Sequence, residues 1–322
     1  MTDKLASEEE LAELGRKLGW DYARYGLRPP DDAPAIVLGE YKAGVTKFGA
    51  LTRKHDRFVR KWLQLRASAM RRSRIVSTDI DIDYLKKIDV EICPITLVKL
   101  THGERTDSDW SVDRLNNAGA YAPGNLAVMS TKANSAKGTR SFEVVRQFAE
   151  GSDQVDGLVP GEWLRLACIM YGACLSTGHA REEALPLATR LPPWTFRPSW
   201  FSLQMVILDA CSNGRRRNDV LRNLGAVYPG NPRSEHLKLA AEALAERIKH
   251  VKYRYDAMVD ERVQSRIKGW LNAIPEDRLP RLSALLRALT GGSEVPEKTI
   301  SAFSTSTGGY VRRRRKRPLR GR

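Results

Sequence analysis

The first periodic stretch of the chain has the pattern of an amphipathic helix. Apolar side chains recur three or four positions apart between residues 7 and 25, which places them on one helix face. Ser7 precedes the first turn and Glu10 follows three residues later, which is the spacing of a capping box. The sequence therefore predicts a helix over Ser7–Tyr25 with a packed face formed by Leu11, Leu14, Leu18 and Tyr22.

A second periodic stretch, Leu51–Met70, is strongly basic. Aromatic and leucine side chains recur there at near-helical spacing among arginines and lysines. One side of such a helix can pack while the other meets phosphate, and we assign Arg57, Arg60 and Lys61 to nucleic-acid contact. A solvated basic face on an ordinary core helix explains the same pattern equally well.

The remaining pattern is mainly helical. Thr78–Lys87 predicts a short helix, although its alternation of isoleucine and aspartate also suits a strand. A polar stretch with glycine and proline, Gly151–Gly161, is typical of a domain boundary. The helices predicted beyond it are Trp163–Leu175, Arg181–Arg190, Ser199–Ala210, Asn218–Leu224, Ser234–Lys268 and Leu279–Leu289.

These elements predict an α+β protein that is predominantly helical and divided into four segments. Residues 1–74 form a helical, basic segment, and residues 75–150 form a small mixed module. Residues 151–290 form an all-helical domain. Residues 291–322 are rich in glycine, serine and threonine and then in arginine, so we expect them to be disordered.

Charge indicates the kind of partner. The chain of 322 residues carries a formal net charge of +16, and the excess is concentrated in two stretches. Residues 41–74 hold eleven basic residues and one acid, and residues 312–322 hold eight basic residues and no acid. Phosphate polymers are the usual partners of such surfaces, so we expect the protein to bind DNA, with RNA as a further possibility.

Hydropathy and cysteine spacing indicate the compartment. No run of 18 apolar residues is present, so we expect no membrane span. The first residues are charged and lack an apolar signal region. Four cysteines occur without CxxC spacing, which favours a reducing cytoplasm over a disulfide framework.

The stretch Trp110–Gly138 carries the candidate chemistry. A short apolar run ends in the pair Asp113 and Arg114 and is followed by a loop rich in glycine and proline. Asn125 then leads a second apolar run, and Asn134 lies in a segment with helical character. The predicted order is strand, loop, strand, helix.

Over residues 93–137 this pattern resembles the HNH nuclease motif, also called the ββα-metal finger. The resemblance implies that Asp113 and Asn134 bind one divalent metal ion, Mg²⁺ or Mn²⁺, through hard donors. It implies that Asn125 supports the loop through hydrogen bonds. Arg114 and Lys137 would contact phosphates, for which the planar guanidinium of arginine is well suited.

The chain departs from the HNH pattern in two ways. Only Cys93 stands where many members carry paired cysteines, so we expect no structural zinc. Arg114 occupies the position of the general base, and the chain resembles a subgroup in which Asp-Arg replaces Asp-His. Arginine cannot accept a proton at neutral pH. His102 is the best alternative base, an exposed loop histidine is the plainer interpretation, and Asp107 and Asp109 are nearby carboxylates.

Three functional hypotheses follow. The first is a metal-dependent HNH-type endonuclease that hydrolyses DNA phosphodiester bonds. The second is a catalytically inactive protein that binds nucleic acid on an HNH-like scaffold. The third is a nuclease toxin or a protein of a mobile element or phage, whose helical domain binds a protein partner or associates with itself.

Overall fold

The computed structural model describes residues 7–175, 185–192, 198–227 and 234–290. They form two compact units, of which the first holds residues up to 91 and residues 99–131. The second holds residues 92–98 and those from 132 onward. As predicted, the described part of the chain is α+β and predominantly helical, with one two-stranded sheet. The predicted tail at 291–322 lies outside the described residues.

The division differs from the predicted boundaries at 74/75 and 150/151. Residues 92–98 belong to the second unit because their backbone is bonded there. Arg165 Nη1 donates to the carbonyl of Ile95 at 3.3 Å, and Thr189 Oγ1 donates to that of Pro94 at 2.7 Å. Short-range patterns along a sequence do not show such long-range bonds, which fix the boundary.

The described part of the first unit contains the helices α1 (Glu8–Arg24), α2 (Ala35–Phe48), α3 (Arg57–Arg71) and α4 (Ile82–Ile88). The capping box at the start of α1 is present as predicted, with the Glu10 amide donating to Ser7 and the Ser7 amide to Glu10. The core of these helices is a cluster of buried apolar residues. Its members are Leu18, Tyr22, Val37, Val59 and Leu63.

Helix α3 begins six residues later than predicted. The carboxylate of Asp56 accepts the amides of Phe58 at 2.9 Å and Val59 at 3.0 Å, so Asp56 is the N-cap. Helix α4 settles the ambiguity of Thr78–Lys87 in favour of a helix, which begins at Ile82 with Asp81 as its N-cap. In both cases a short side-chain acceptor fixes where the helix begins.

The sheet consists of β1 (Trp110–Arg114) and β2 (Leu126–Ser130), which pair antiparallel so that Asp113 lies opposite Ala127. Helix α5 (Thr131–Lys137) follows β2 directly. The predicted order of strand, loop, strand and helix is therefore confirmed. All five residues of β2 are buried, whereas the central positions of β1 are half-buried.

The second unit is helical. Its core contains the buried side chains of Trp163, Phe201 and Trp270. Its remaining helices are α6 (Phe142–Glu150), α7 (Pro160–Leu175), α8 (Ser199–Ser212), α9 (Gly214–Gly225), α10 (Ser234–Ile248), α11 (Glu261–Leu271) and α12 (Leu279–Thr290).

Two helices predicted in the second unit need correction. The stretch predicted as one helix over Ser234–Lys268 is divided by a 3₁₀ helix at Arg254–Val259. The helix predicted over Arg181–Arg190 lies partly outside the described residues, and residues 185–190 are not helical. Within the described ranges, no helix is both long and apolar enough to cross a membrane.

Candidate active site

Asp113 lies near the end of β1 and is half-buried. Successive side chains of a strand point to opposite faces, so Asp113 and Arg114 face away from each other. Because Asp113 pairs with the buried Ala127 of β2, its backbone is fixed by the ladder of the sheet. A carboxylate is thus held on a rigid strand, which is the placement predicted for the first metal ligand.

Asn125 orders the loop between β1 and β2 (residues 115–125). Its side chain is fully buried and donates from Nδ2 to the carbonyls of Asn116 at 3.0 Å and Ala120 at 2.9 Å. Its Oδ1 accepts the amide of Asn116 at 2.8 Å. These three bonds satisfy backbone groups that the sheet does not reach, and they are the loop-supporting hydrogen bonds predicted for Asn125.

Two glycines permit the tight course of this loop. A Cβ atom on Gly119 would lie 2.8 Å from Nδ2 of Asn125, so only glycine leaves room for that amide. Gly124 has a φ of +87°, which favours glycine over other residues. Its amide donates to the hydroxyl of Tyr84 at 3.2 Å, and burial raises the pKa of Tyr84 to about 12.

The buried side chain of Arg114 stabilises the same loop through hydrogen bonds to its carbonyls. Arg114 is 5% exposed, and its Nη1 donates to the carbonyls of Asn117 at 2.8 Å and Gly119 at 2.9 Å. The guanidinium carbon lies 4.9 Å from the ring centre of Tyr121. Burial lowers the pKa of Arg114 below its ordinary value, and the cations of Arg74 and Arg72 add to this. This placement differs from the predicted phosphate contact, because the guanidinium of Arg114 donates its hydrogen bonds to carbonyls of the protein itself.

The Arg114→Ala variant is therefore expected to lose stability rather than DNA affinity. Its two hydrogen bonds come from a charged donor, and such bonds contribute about 1.5–3 kcal/mol each. We expect the free energy of unfolding to fall by about 3 kcal/mol, measured by chemical denaturation. The exposed Arg72→Ala serves as the control. A variant with parental stability and weakened DNA binding would contradict the bracing role.

His102 is occupied by neighbouring side chains. Nη1 of Arg57 lies 2.8 Å from His102 Nδ1, and the imidazole packs nearly perpendicular to the Trp110 ring with the two ring centroids 5.4 Å apart. Burial is the main cause of a lowered pKa of His102, and the charge of Arg57 adds to it. The Arg57 guanidinium lies within hydrogen-bonding distance of both ring nitrogens, through which a general base would accept a proton from water. His102 is exposed in the loop before β1, as the plainer interpretation expects, and its role as base stays a prediction.

The carboxylates near His102 differ from each other. Asp109 organises the loop before β1, since Oδ1 accepts the hydroxyl of Thr101 at 2.7 Å and Oδ2 accepts the amide of Arg105 at 2.7 Å. These hydrogen bonds, that of Thr101 foremost, lower the pKa of Asp109. Asp107 is exposed. Asp109 is therefore a structural residue of the loop.

The cations predicted on α3 have structural partners. Nη2 of Arg57 forms a salt bridge with Asp89 at 2.5 Å. The Lys61 ammonium lies 3.4 Å from the carbonyl of Trp110, and burial lowers the pKa of Lys61. Arg60 is exposed and contacts the ring of His55 at 3.1 Å. Of the three predicted DNA contacts, Arg60 is therefore the most accessible.

The other two predicted residues belong to the second unit. Asn134 lies in α5 and is half-buried, and its carbonyl accepts the amide of Gly138 at 2.9 Å. Lys137 ends the same helix and is fully buried. Its burial differs from the predicted phosphate contact, because a solvent-inaccessible ammonium does not meet a polymer.

The chemistry of the assigned donors suits a hard cation. The carboxylate of Asp113 and the side-chain amide oxygen of Asn134 are oxygen ligands, and Mg²⁺ is often held by one or two protein oxygens and several waters. Within the described ranges, no group of three or more histidine, cysteine, aspartate or glutamate side chains could hold a metal ion. The residues assigned from the sequence thus fit Mg²⁺ or Mn²⁺ by donor type.

Several residues of this region were not identified from the sequence. Tyr84 supports the turn at Gly124, and Asp89 holds Arg57, yet each acts on a residue more than 30 positions away. The positive charges of Arg72 and Arg74 contribute to the lowered pKa of Arg114. The only signal for Arg72 and Arg74 in the sequence is the general basicity of residues 41–74.

No protein-family model, curated protein or solved structure matches the chain.

Proposed function

We propose that this protein is a metal-dependent endonuclease of the HNH type that hydrolyses DNA phosphodiester bonds. The observation that carries the proposal is the position of Asp113. It lies on a strand of a two-stranded antiparallel sheet, beside a loop braced by the fully buried Asn125. A helix follows the second strand directly, in the order that the sequence resemblance implies.

The chain's own residues supply ligands and rigidity. A divalent ion, when bound, polarises the phosphate and lowers the pKa of its water. Asp113 supplies a carboxylate on a fixed strand, and the resemblance to the HNH motif assigns Asn134 as the second ligand. Asn125 and Arg114 donate hydrogen bonds to different carbonyls of the loop and hold the connection between β1 and β2 in shape.

A second candidate function has one specific observation in its favour. The position of the family's general base holds Arg114, which stays protonated at neutral pH, and His102 lies against Arg57. A protein with this arrangement and without another base binds nucleic acid without cutting it. The second candidate is therefore an inactive DNA-binding protein on the same scaffold.

Plasmid nicking with and without metal separates the two functions. We expect the purified protein to nick supercoiled plasmid in Mg²⁺ or Mn²⁺ and to stop when EDTA is added, because hydrolysis depends on the bound cation. DNA binding, followed by gel shift, should persist in EDTA. Binding without nicking under every divalent ion would support the inactive protein, and absence of binding would exclude both.

A further inference from the structure

The loop between α2 and α3, residues 49–56, is held in a defined shape. The amide of Arg53 donates to the carbonyl of Arg24 at 2.8 Å, and the amide of Leu51 donates to that of Phe48 at 2.8 Å. His55 Nδ1 lies 3.1 Å from the carbonyl of Tyr25. The loop is thus tied to the end of α1 at two points, and its side chains are displayed from a fixed backbone.

Leu51 is the most exposed large apolar residue among those the structure describes. Its exposed fraction is 87%, whereas the other exposed large apolar residues range up to 53%. Exposure of an apolar side chain to water costs free energy, and burial of Leu51 against another molecule would remove that cost. The side chain is therefore displayed where a partner can cover it.

The cations around Leu51 are available to a partner. Lys47, Arg53 and Lys54 are exposed, and no described residue forms a salt bridge with any of them. The arginines of α3 contrast with them, because three are paired with acids. Those pairs are Arg57 with Asp89, Arg66 with Asp21, and Arg71 with Asp32. Three arginines of α3 are thus engaged by acids, whereas Lys47, Arg53 and Lys54 around Leu51 have no acidic partner among the described residues.

The loop also leads toward the strand that carries Asp113. It ends at Asp56, the cap of α3, and the first turn of that helix packs on Trp110 at the start of β1. The rings of Phe58 and Trp110 pack edge to face with their centroids 5.6 Å apart, and the guanidinium carbon of Arg57 lies 5.0 Å from the centroid of the Trp110 ring. A partner on the loop is therefore bound to the same compact unit as the candidate metal ligand Asp113.

We propose that the α2–α3 loop binds duplex DNA through the minor groove, with Lys47, Arg53 and Lys54 on phosphates and Leu51 inserted between base pairs. This inference rests on the proposed nucleic-acid substrate but not on cleavage. Phosphate contacts position a protein on the duplex regardless of sequence. An apolar wedge flanked by cations partly unstacks a base step and bends the duplex toward the major groove. Rigid display of Leu51 lowers the ordering cost of that insertion.

The phosphate contacts are tested by the salt dependence of binding. The full chain and the triple variant Lys47→Ala/Arg53→Ala/Lys54→Ala are titrated with a short labelled duplex in EDTA. The slope of log affinity against log salt is negative, and loss of three contacts should reduce its magnitude by about 2.7. The affinity at 0.15 M salt should fall about 100-fold. The matched control Lys238→Ala/Lys252→Ala/Lys268→Ala removes the same charge from exposed, unpaired positions and should retain the parental slope.

The insertion of Leu51 is tested by measuring how strongly the bound duplex is bent. Energy transfer between dyes at the two ends of the DNA should rise when the parent binds. It should stay at the free-DNA value with Leu51→Ser, while the salt slope is unchanged. Leu51→Met, which keeps a flexible apolar side chain, should restore the bend. A Leu51→Ser complex as bent as the parental one overturns the insertion of Leu51.

The remaining outcomes separate this inference from the proposed function. If the parent does not bind duplex DNA at all, the proposed function fails together with the inference. If the parent binds and the triple variant matches its control, only the loop assignment is overturned. If the triple variant and Leu51→Ser instead lose binding to vesicles of anionic phospholipid and keep DNA binding, the surface is a membrane contact and the inference is wrong.

Discussion

The Asp113→Ala variant is expected to nick plasmid about 1,000-fold more slowly than the parent, because its carboxylate is the proposed anchor of the cation and several kcal/mol of transition-state stabilisation go with it. The half-buried position of Asp113 on β1 allows alanine without overpacking, so the fold should persist. The measurement is the initial rate of conversion of supercoiled to open-circular plasmid in Mg²⁺ and in Mn²⁺.

Two controls accompany this variant. Asp107→Ala removes an exposed carboxylate from the loop before β1 and should nick at the parental rate. Asp113→Asn keeps the shape and one oxygen donor but loses the charge, and it should need a higher Mn²⁺ concentration for the same rate. If Asp113→Ala cuts as fast as the parent while remaining folded, the site lies elsewhere in the chain.

In the Asn125→Ala variant, the first unit is expected to unfold far more easily than in the parent. The Asn125 side chain satisfies three backbone groups in a fully buried place, and each buried group left without a partner costs about 1–3 kcal/mol. We expect the free energy of unfolding to fall by about 3–6 kcal/mol, measured by chemical denaturation. Hydrogen exchange should locate the loss, because the amide of Asn116 then has no acceptor at Asn125.

A control for Asn125 is available in an exposed asparagine. Asn213→Ala removes a side chain that forms no capping hydrogen bond with α9, and it should leave the stability within about 0.5 kcal/mol of the parent. Asn125→Asp keeps the size but replaces the Nδ2 donor with an oxygen facing two carbonyls, so it should be as destabilising as alanine. An Asn125→Ala protein with parental stability and parental exchange at Asn116 would show that the loop holds its shape without this side chain.

The elements of this fold that depend on neighbouring positions could be predicted from the sequence. The capping box of Ser7 and Glu10 fixes the start of α1, and the alternation of two apolar runs around a turn-rich loop predicts β1 and β2. Helix α2 was not predicted. Its apolar pattern is interrupted by Gly39 and Gly44, and only its packing on α1, where Gly44 approaches Ala23, explains its burial.

The candidate site was predicted less completely, because charge on a sequence does not show where a side chain is used. Arg57 and Arg60 have the same residue type and lie three positions apart. The structure nevertheless places Arg57 in a salt bridge with Asp89 and leaves Arg60 exposed. Arg114 was assigned to phosphate, yet it bonds two carbonyls of its own loop. Such uses are set by partners distant in the sequence or by the course of a loop.

Because residues 92–98 belong to the second unit, no single cut in the chain separates the two units. A fragment that starts at residue 132 lacks the carbonyl of Pro94, and the buried hydroxyl of Thr189 then loses that acceptor. During synthesis, residues 92–98 leave the ribosome well before the helices that hold them. Residues 92–98 can therefore form these hydrogen bonds only later, after α7 and the residues around Thr189 have emerged. The second unit reaches its final packing only then.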